Sequence, residues 1–172
     1  MQKGTVIIYH GDGEGKTMAS IGHAVRALGH GAKVALVFFM KGRKEIGEYT
    51  QLKKLLGANV YLCGDKHFLK KTKFREAHRK KVAEGVRIAK TILEAQTHGL
   101  LVLDEILYAV KFGLLSEQEL LSLVDMRGKT SLIITGREPS KELKKRAYVI
   151  TKMVKEKHGY EKNHKTIEGL DF

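Results

Sequence analysis

Of cysteine and proline the chain has one each, of tryptophan none, and of asparagine only Asn59 and Asn163, in 172 residues. The lone Cys63 excludes an intrachain disulfide and any zinc site built on a cysteine cluster, and at the end of an apolar segment it reads as a small buried hydrophobe. With Pro139 the only proline, no Pro-rich linker divides the chain, and no period repeats along it. The longest apolar stretches, 34–40 and 100–103, fall far short of the ~20 residues that a bilayer span requires, so membrane insertion is not expected. Met1-Gln2-Lys3-Gly4 leads directly into a strand-like segment without the apolar region of a signal peptide. A cytoplasmic protein is therefore expected. Scarce asparagine beside abundant Lys and Glu is a balance that leans toward a thermophile.

Acidic residues are also in deficit. Lys and Arg number 32 against 19 Asp and Glu, a formal charge of +13 that favours an anionic partner such as a nucleotide, nucleic acid or membrane surface. A lysine-rich solvated face is the alternative origin of the same excess. Apolar residues make up 42%, enough for one domain over 1–172 with its own core, and 152–172 reads as a C-terminal tail.

Short β-branched runs at 5–9, 33–39, 59–62, 100–104, 130–135 and 148–151 read as strands, several of them apolar at nearly every position, as in strands covered on both faces. Amphipathic stretches at 16–28, 45–56, 74–97, 116–124 and 140–147 read as helices, and 106–112 could form another. Ser116 followed by Glu119 is a capping box, and Gly29 and Gly31 sit where the first helix must end. The alternation predicts an α/β fold of the P-loop NTPase-like (RecA-like) kind, a mostly parallel sheet with helices on both faces, its ligands bound at the carboxyl ends of the strands.

The first strand runs into His10-Gly11-Asp12-Gly13-Glu14-Gly15-Lys16-Thr17, and a helix follows at once. A loop that turns its N–H groups inward around phosphate oxygens needs glycines, and the helix N-terminus adds its positive dipole end. Lys16 would supply a full charge to the phosphates and Thr17 a hydroxyl ligand for Mg²⁺. The strict phosphate-loop pattern fails at one position, where His10 stands for the first glycine and Gly11 follows; Gly11 and Gly13 can supply the flexibility. The dinucleotide pattern G-x-G-x-x-G fails too, because Lys16 occupies its last position. Gly11, Asp12, Gly13, Glu14, Gly15, Lys16 and Thr17 are the expected ATP-binding residues.

Leu100-Leu101-Val102-Leu103-Asp104-Glu105 is a buried strand ending in two carboxylates. Such a pair can cap the next helix, or it can supply the second acid of a P-loop protein, opposite the Ser/Thr, to hold Mg²⁺. Combined with the loop, the second reading prevails. Glu105 is expected to act with Lys16 in catalysis and to hold the metal with Thr17, and Asp104 is the second choice. The histidines show no metal-ligand spacing.

The motif set resembles the ATP:cob(I)alamin (corrinoid) adenosyltransferases. Besides the loop, the matching segments are Arg26-Ala27-Leu28-Gly29-His30-Gly31, Phe39-Met40-Lys41-Gly42, Gly47-Glu48, Leu103-Asp104-Glu105-Ile106, Tyr108-Ala109 and Gly113-Leu114. Thr135-Gly136-Arg137 with Pro139, Glu142-Leu143 and Ala147, then Lys157-His158 and Gly169-Leu170-Asp171-Phe172, extend the resemblance over nearly the whole chain. It implies that a Co(I) corrinoid attacks the ribose C5′ of ATP and expels triphosphate, with ATP and the corrinoid as substrates and Mg²⁺ as cofactor. It further implies a reductase supplying the electron to cobalt, a homodimer, and nucleotide contacts from Arg26 and Arg137. Met18 and Glu14 depart from the family pattern, as does the missing tryptophan of the stretch 64–81, where the family packs a Phe and a Trp against the corrinoid; Phe68 is the candidate here. The same stretch is crowded with lysine and arginine around Phe68 and Phe74, which also suits nucleic acid. A nucleic-acid-dependent P-loop ATPase or regulatory nucleotide-binding module is the alternative function.

Overall fold

Residues 34–39, 100–104 and 132–136 are buried at every position, and side chains that alternate across a strand can all be buried only if both faces of the sheet are covered. The computed structural model describes residues 3–42, 47–64, 76–157, 167 and 169. Its strands are β1 (Val6–Gly11), β2 (Val34–Phe39), β3 (Val60–Cys63), β4 (Leu100–Asp104), β5 (Ser131–Gly136) and β6 (Val149–Met153). They pair in the order β3-β2-β4-β5-β1-β6, every pair parallel. The helices are α1 (Lys16–Gly29), α2 (Gly47–Leu56), α3 (Glu76–Ala95), α4 (Ile106–Lys111), α5 (Glu117–Asp125) and α6 (Lys141–Arg146).

Strand parity divides the interior into two cores. Val34, Leu36 and Phe38 of β2, Leu100 and Val102 of β4 and Ile133 of β5 face Ala24 of α1 and Leu52 and Leu56 of α2. Their neighbours Ala35, Val37, Phe39, Leu101, Leu103, Leu132 and Ile134 face the other way, onto α3, α4, α5 and α6. Helix α3 buries Val82, Gly85, Ala89, Ile92 and Leu93, the spacing of one helical stripe. Leu93 and Leu101 have no exposed surface, and truncating either to Ala would cost about 2–5 kcal/mol.

The predicted strands and helices are all present, with shifted ends. Ser116 and Glu119 form the capping box at the start of α5, and the left-handed residue after α1 is Gly31, at φ 76°, while Gly29 stays helical. Lys152 and Met153, the first residues of the expected tail, pair with His10 and Gly11 as part of β6. That strand is the outermost one on the β1 side and most of its side chains are exposed. Among the described residues, no helix is long and apolar enough to cross a membrane.

Candidate functional site

The phosphate loop begins where β1 ends. His10 is the last fully paired strand residue there, in register with Gly136 and Lys152, so the backbone turns at Gly11 and His10 needs no glycine freedom. Gly11 has φ 116°, and a Cβ on it would lie 2.2 Å from the Met153 carbonyl oxygen. Only glycine lets the loop pass the end of β6 that closely. The Gly13 N–H donates to the same carbonyl at 2.9 Å, and Asp12 Oδ1 accepts from the Lys155 N–H at 3.4 Å, so β6 and the residues after it fasten the loop. Gly15, left-handed at φ 93°, opens α1. Glu14 and Met18 both face solvent, which is why neither substitution disturbs the loop.

Lys16 is the first residue of α1, and its ammonium turns back to donate to the Gly13 carbonyl. Burial holds its pKa below the usual lysine range, with Glu105, Asp104 and Asp12 pulling it up and Arg137 pushing it down. Those five charged side chains thus act on one another across the carboxyl end of the sheet.

Strand parity decides which carboxylate meets the helix. Asp104 shares the face of Leu100 and Val102, the face that α1 covers, and it is completely buried. Thr17 Oγ1 lies 3.1 Å from both its carboxylate oxygens and donates between them. Thr135 of β5, on the same face as Ile133, donates to Asp104 Oδ1 at 2.7 Å. Glu105 follows outside the strand at φ 61°, a left-handed conformation that costs a non-glycine residue about 1–3 kcal/mol. Its N–H donates to Thr135 Oγ1 at 2.8 Å, and its buried Oε2 has no hydrogen-bond partner. Burial pushes the Glu105 carboxyl up to about 7, the charge of Asp104 adds to the rise, and Lys41, Lys16 and Arg137 oppose it. Both carboxylates are at the site, but the contact with Thr17 belongs to Asp104 and not to Glu105.

Arg137, at the end of β5, donates from Nε to the Tyr108 hydroxyl at 2.6 Å and stacks over that ring with its guanidinium carbon 5.2 Å from the centroid. It borders a cleft of about 480 Å³ that also touches Gly11, Asp12, Leu107, Lys111 and Lys152, directly beside the loop. His10 lies under this region, 4% exposed, its Nδ1 3.1 Å from Glu138 Oε2 but off the hydrogen-bonding direction. Burial lowers the His10 pKa and Glu138 partly restores it.

Arg26 is not brought to this site: it stands exposed in the last turn of α1, about 15 Å along the axis from Lys16 at 1.5 Å per residue. Phe68 lies outside the described residues, as does most of the basic stretch. In the sequence Lys41 and Tyr108 stand only as matching positions of the resemblance, without a role. The signal for Lys41 is a cation directly after the apolar run 34–40, at the end of the sheet where ligands bind. Among the described residues no group of three or more His, Cys, Asp or Glu could hold a metal ion, so a metal here would rely on Thr17 and the nucleotide as well as on carboxylates.

The fold recurs in a solved structure of distant sequence. The assembled ATPase EscN, solved with its central stalk EscO from the type III secretion system of enteropathogenic E. coli, is similar at TM-score 0.52 and 16% identity over 88% of this chain and 43% of that one. Nearer in sequence is a corrinoid adenosyltransferase of Pseudomonas aeruginosa, 29% identical over 99% of this chain and 85% of its own length. Corrinoid adenosyltransferase CobA of Salmonella typhimurium is 31% identical over 99% of this chain and 87% of its own. The sequence model of the family described as ATP:corrinoid adenosyltransferase BtuR/CobO/CobP matches residues 2–172. By that match, and with a phosphate loop, a buried acid and an arginine gathered at the strand ends, the chain belongs to the ATP:corrinoid adenosyltransferase family.

Proposed function

We propose that this protein transfers the 5′-deoxyadenosyl group of ATP to the cobalt of a reduced corrinoid and releases triphosphate. The observation that carries the reading is the family match from residue 2 to residue 172. The Co(I) electron pair forms the bond to C5′, the C5′–O bond breaks, and its electrons leave with the triphosphate. No general base is required. The protein's task is to stabilise negative charge on the leaving group and to hold C5′ in line with cobalt.

The glycine loop Gly11–Gly15, fastened to Met153 through the Gly13 N–H, passes around the triphosphate, the N–H groups in the first turn of α1 donate to it, and Lys16 adds the charge closest to it. Asp12 and Glu14 contribute their backbone, since their side chains face solvent. Arg137 extends from the Tyr108 ring toward the same charge. The Thr17 hydroxyl and the Asp104 carboxylate are hard oxygen donors 3.1 Å apart, which suits Mg²⁺, with the unpartnered Glu105 oxygen beside them. Thr17 and Asp104 would hold the ion directly and Glu105 through water; bound there, Mg²⁺ supplies charge neutralisation to the triphosphate. A homodimer in the cytoplasm, fed by a reductase, completes the reading on the strength of the resemblance.

The test is anaerobic mixing with ATP, Mg²⁺ and chemically reduced cobalamin. Formation of the alkylcobalamin spectrum with stoichiometric triphosphate is expected. ADP and phosphate in its place, with unchanged cobalamin, would overturn the assignment.

A further inference from the structure

Lys41 occupies an unusual place for a surface-type side chain. Its ammonium nitrogen is 3.1 Å from Thr17 Oγ1 and 3.1 Å from Asp104 Oδ2, so it touches both groups assigned above to the metal. A lysine that merely neutralised Asp104 would need no contact with the Thr17 hydroxyl. The backbone sets it there: Phe38 is in register with Asp104 on the adjacent strand, Met40 takes a left-handed φ of 62°, and the chain at Gly64 packs so closely that a Cβ on it would lie 2.3 Å from the Lys41 backbone nitrogen. The ammonium also lies over the Phe38 ring, 5.2 Å from its centroid, and Glu48 Oε1 is 3.7 Å from it.

We propose that Lys41 is a placeholder cation: it holds Thr17 and Asp104 at the spacing a divalent ion needs, and it yields that position to Mg²⁺ when the nucleotide arrives. An ammonium and a divalent ion cannot share the same two oxygens, because their like charges repel at that distance. Glu48, 17% exposed and already within reach, receives the displaced ammonium, which remains close enough to add its positive charge to those of Lys16 and Arg137 at the leaving triphosphate. The arrangement keeps metal out of the site until ATP brings it. The inference rests on reading Thr17 and Asp104 as the metal ligands.

The test uses nucleotide-free protein and Mn²⁺, an oxygen-seeking ion whose free fraction is read by electron paramagnetic resonance. Wild type should bind it weakly. Lys41→Ala and Lys41→Gln should each bind at least about tenfold more tightly, because the competing ammonium is gone. The glutamine variant retains an amide for Asp104 and Thr17, so it stays informative if the alanine variant folds poorly. Adding Asp104→Asn to Lys41→Gln should remove the gained site. No gain in either lysine variant, or a gain that survives Asp104→Asn, would overturn the proposal. The metal reading is judged separately, from wild-type ATP affinity with Mg²⁺ and with EDTA. Equal affinities there would remove the metal reading and this proposal with it, whereas a failed lysine comparison with Mg²⁺ dependence intact removes only the proposal.

Discussion

The hydroxyl of Thr17 sits 3.1 Å from both carboxylate oxygens of Asp104, a residue 87 positions later in the chain. This contact joins the phosphate loop to the acid at the end of β4 across the intervening strand β5. It makes Asp104→Asn the decisive carboxylate substitution. Adenosyl transfer should fall by about 100-fold or more, with the Mg²⁺ requirement shifted to higher concentration. Glu105→Gln should cost less than a tenth of that loss, roughly tenfold or under, since Glu105 would act through water. Steady-state rates against Mg²⁺ concentration for both variants decide it; the reverse ranking would return the leading role to Glu105.

Lys16 is 8% exposed and carries the charge nearest the loop's N–H groups. Lys16→Ala should lower kcat/KM for ATP by about 100- to 1000-fold, the range for removing one donor from a charge-stabilising site. Stability should hold or rise, because burial already disfavours the charged lysine in the folded state. Thermal melts beside the kinetics check both halves, and near wild-type kcat/KM would refute the phosphate-loop assignment.

Thr135 Oγ1 accepts from the Glu105 N–H at 2.8 Å and donates to Asp104 at 2.7 Å, with no exposure to water. Thr135→Val preserves shape but removes both bonds. Unfolding free energy should drop by about 1–3 kcal/mol, the cost of stranding a buried polar group. Thr135→Ser should recover most of it. Denaturant titration of the two variants makes the comparison.

At the opposite end of the sheet, His98 is 6% exposed, with Nε2 3.3 Å from Asn59 Oδ1 and Nδ1 3.1 Å from Thr97 Oγ1. Burial holds its pKa below 6.5 and Lys33 adds to the effect. The unfolded chain therefore binds the proton more readily, so His98 costs stability as pH falls below 6.5 and through its folded-state pKa. His98→Gln should lose less stability than wild type between pH 8 and pH 5, whatever its stability at pH 8. Paired melts across that range test the sign; parallel curves would show that His98 does not titrate on unfolding.

The residues alone determined the strands and helices to within about two residues at each end, the glycine loop and the presence of two carboxylates at the end of β4, because each of these is written in local periodicity and backbone freedom. His10 shows how far such a pattern carries: it broke the strict motif, yet it is an ordinary strand residue and Gly11 makes the turn. Tertiary structure decided which carboxylate faces Thr17. Parity says that Asp104 and Glu105 differ in direction, but the face covered by α1 depends on packing between distant segments, through Ala24 against Val102 and Ile133. The same holds for Lys41 and Arg26. One follows β2 and reaches Asp104 only because β2 lies beside β4, while the other shares a helix with Lys16 and is carried out of reach by its rise. Strand order and helix placement are settled by the burial of long-range apolar contacts, which no short window of sequence contains.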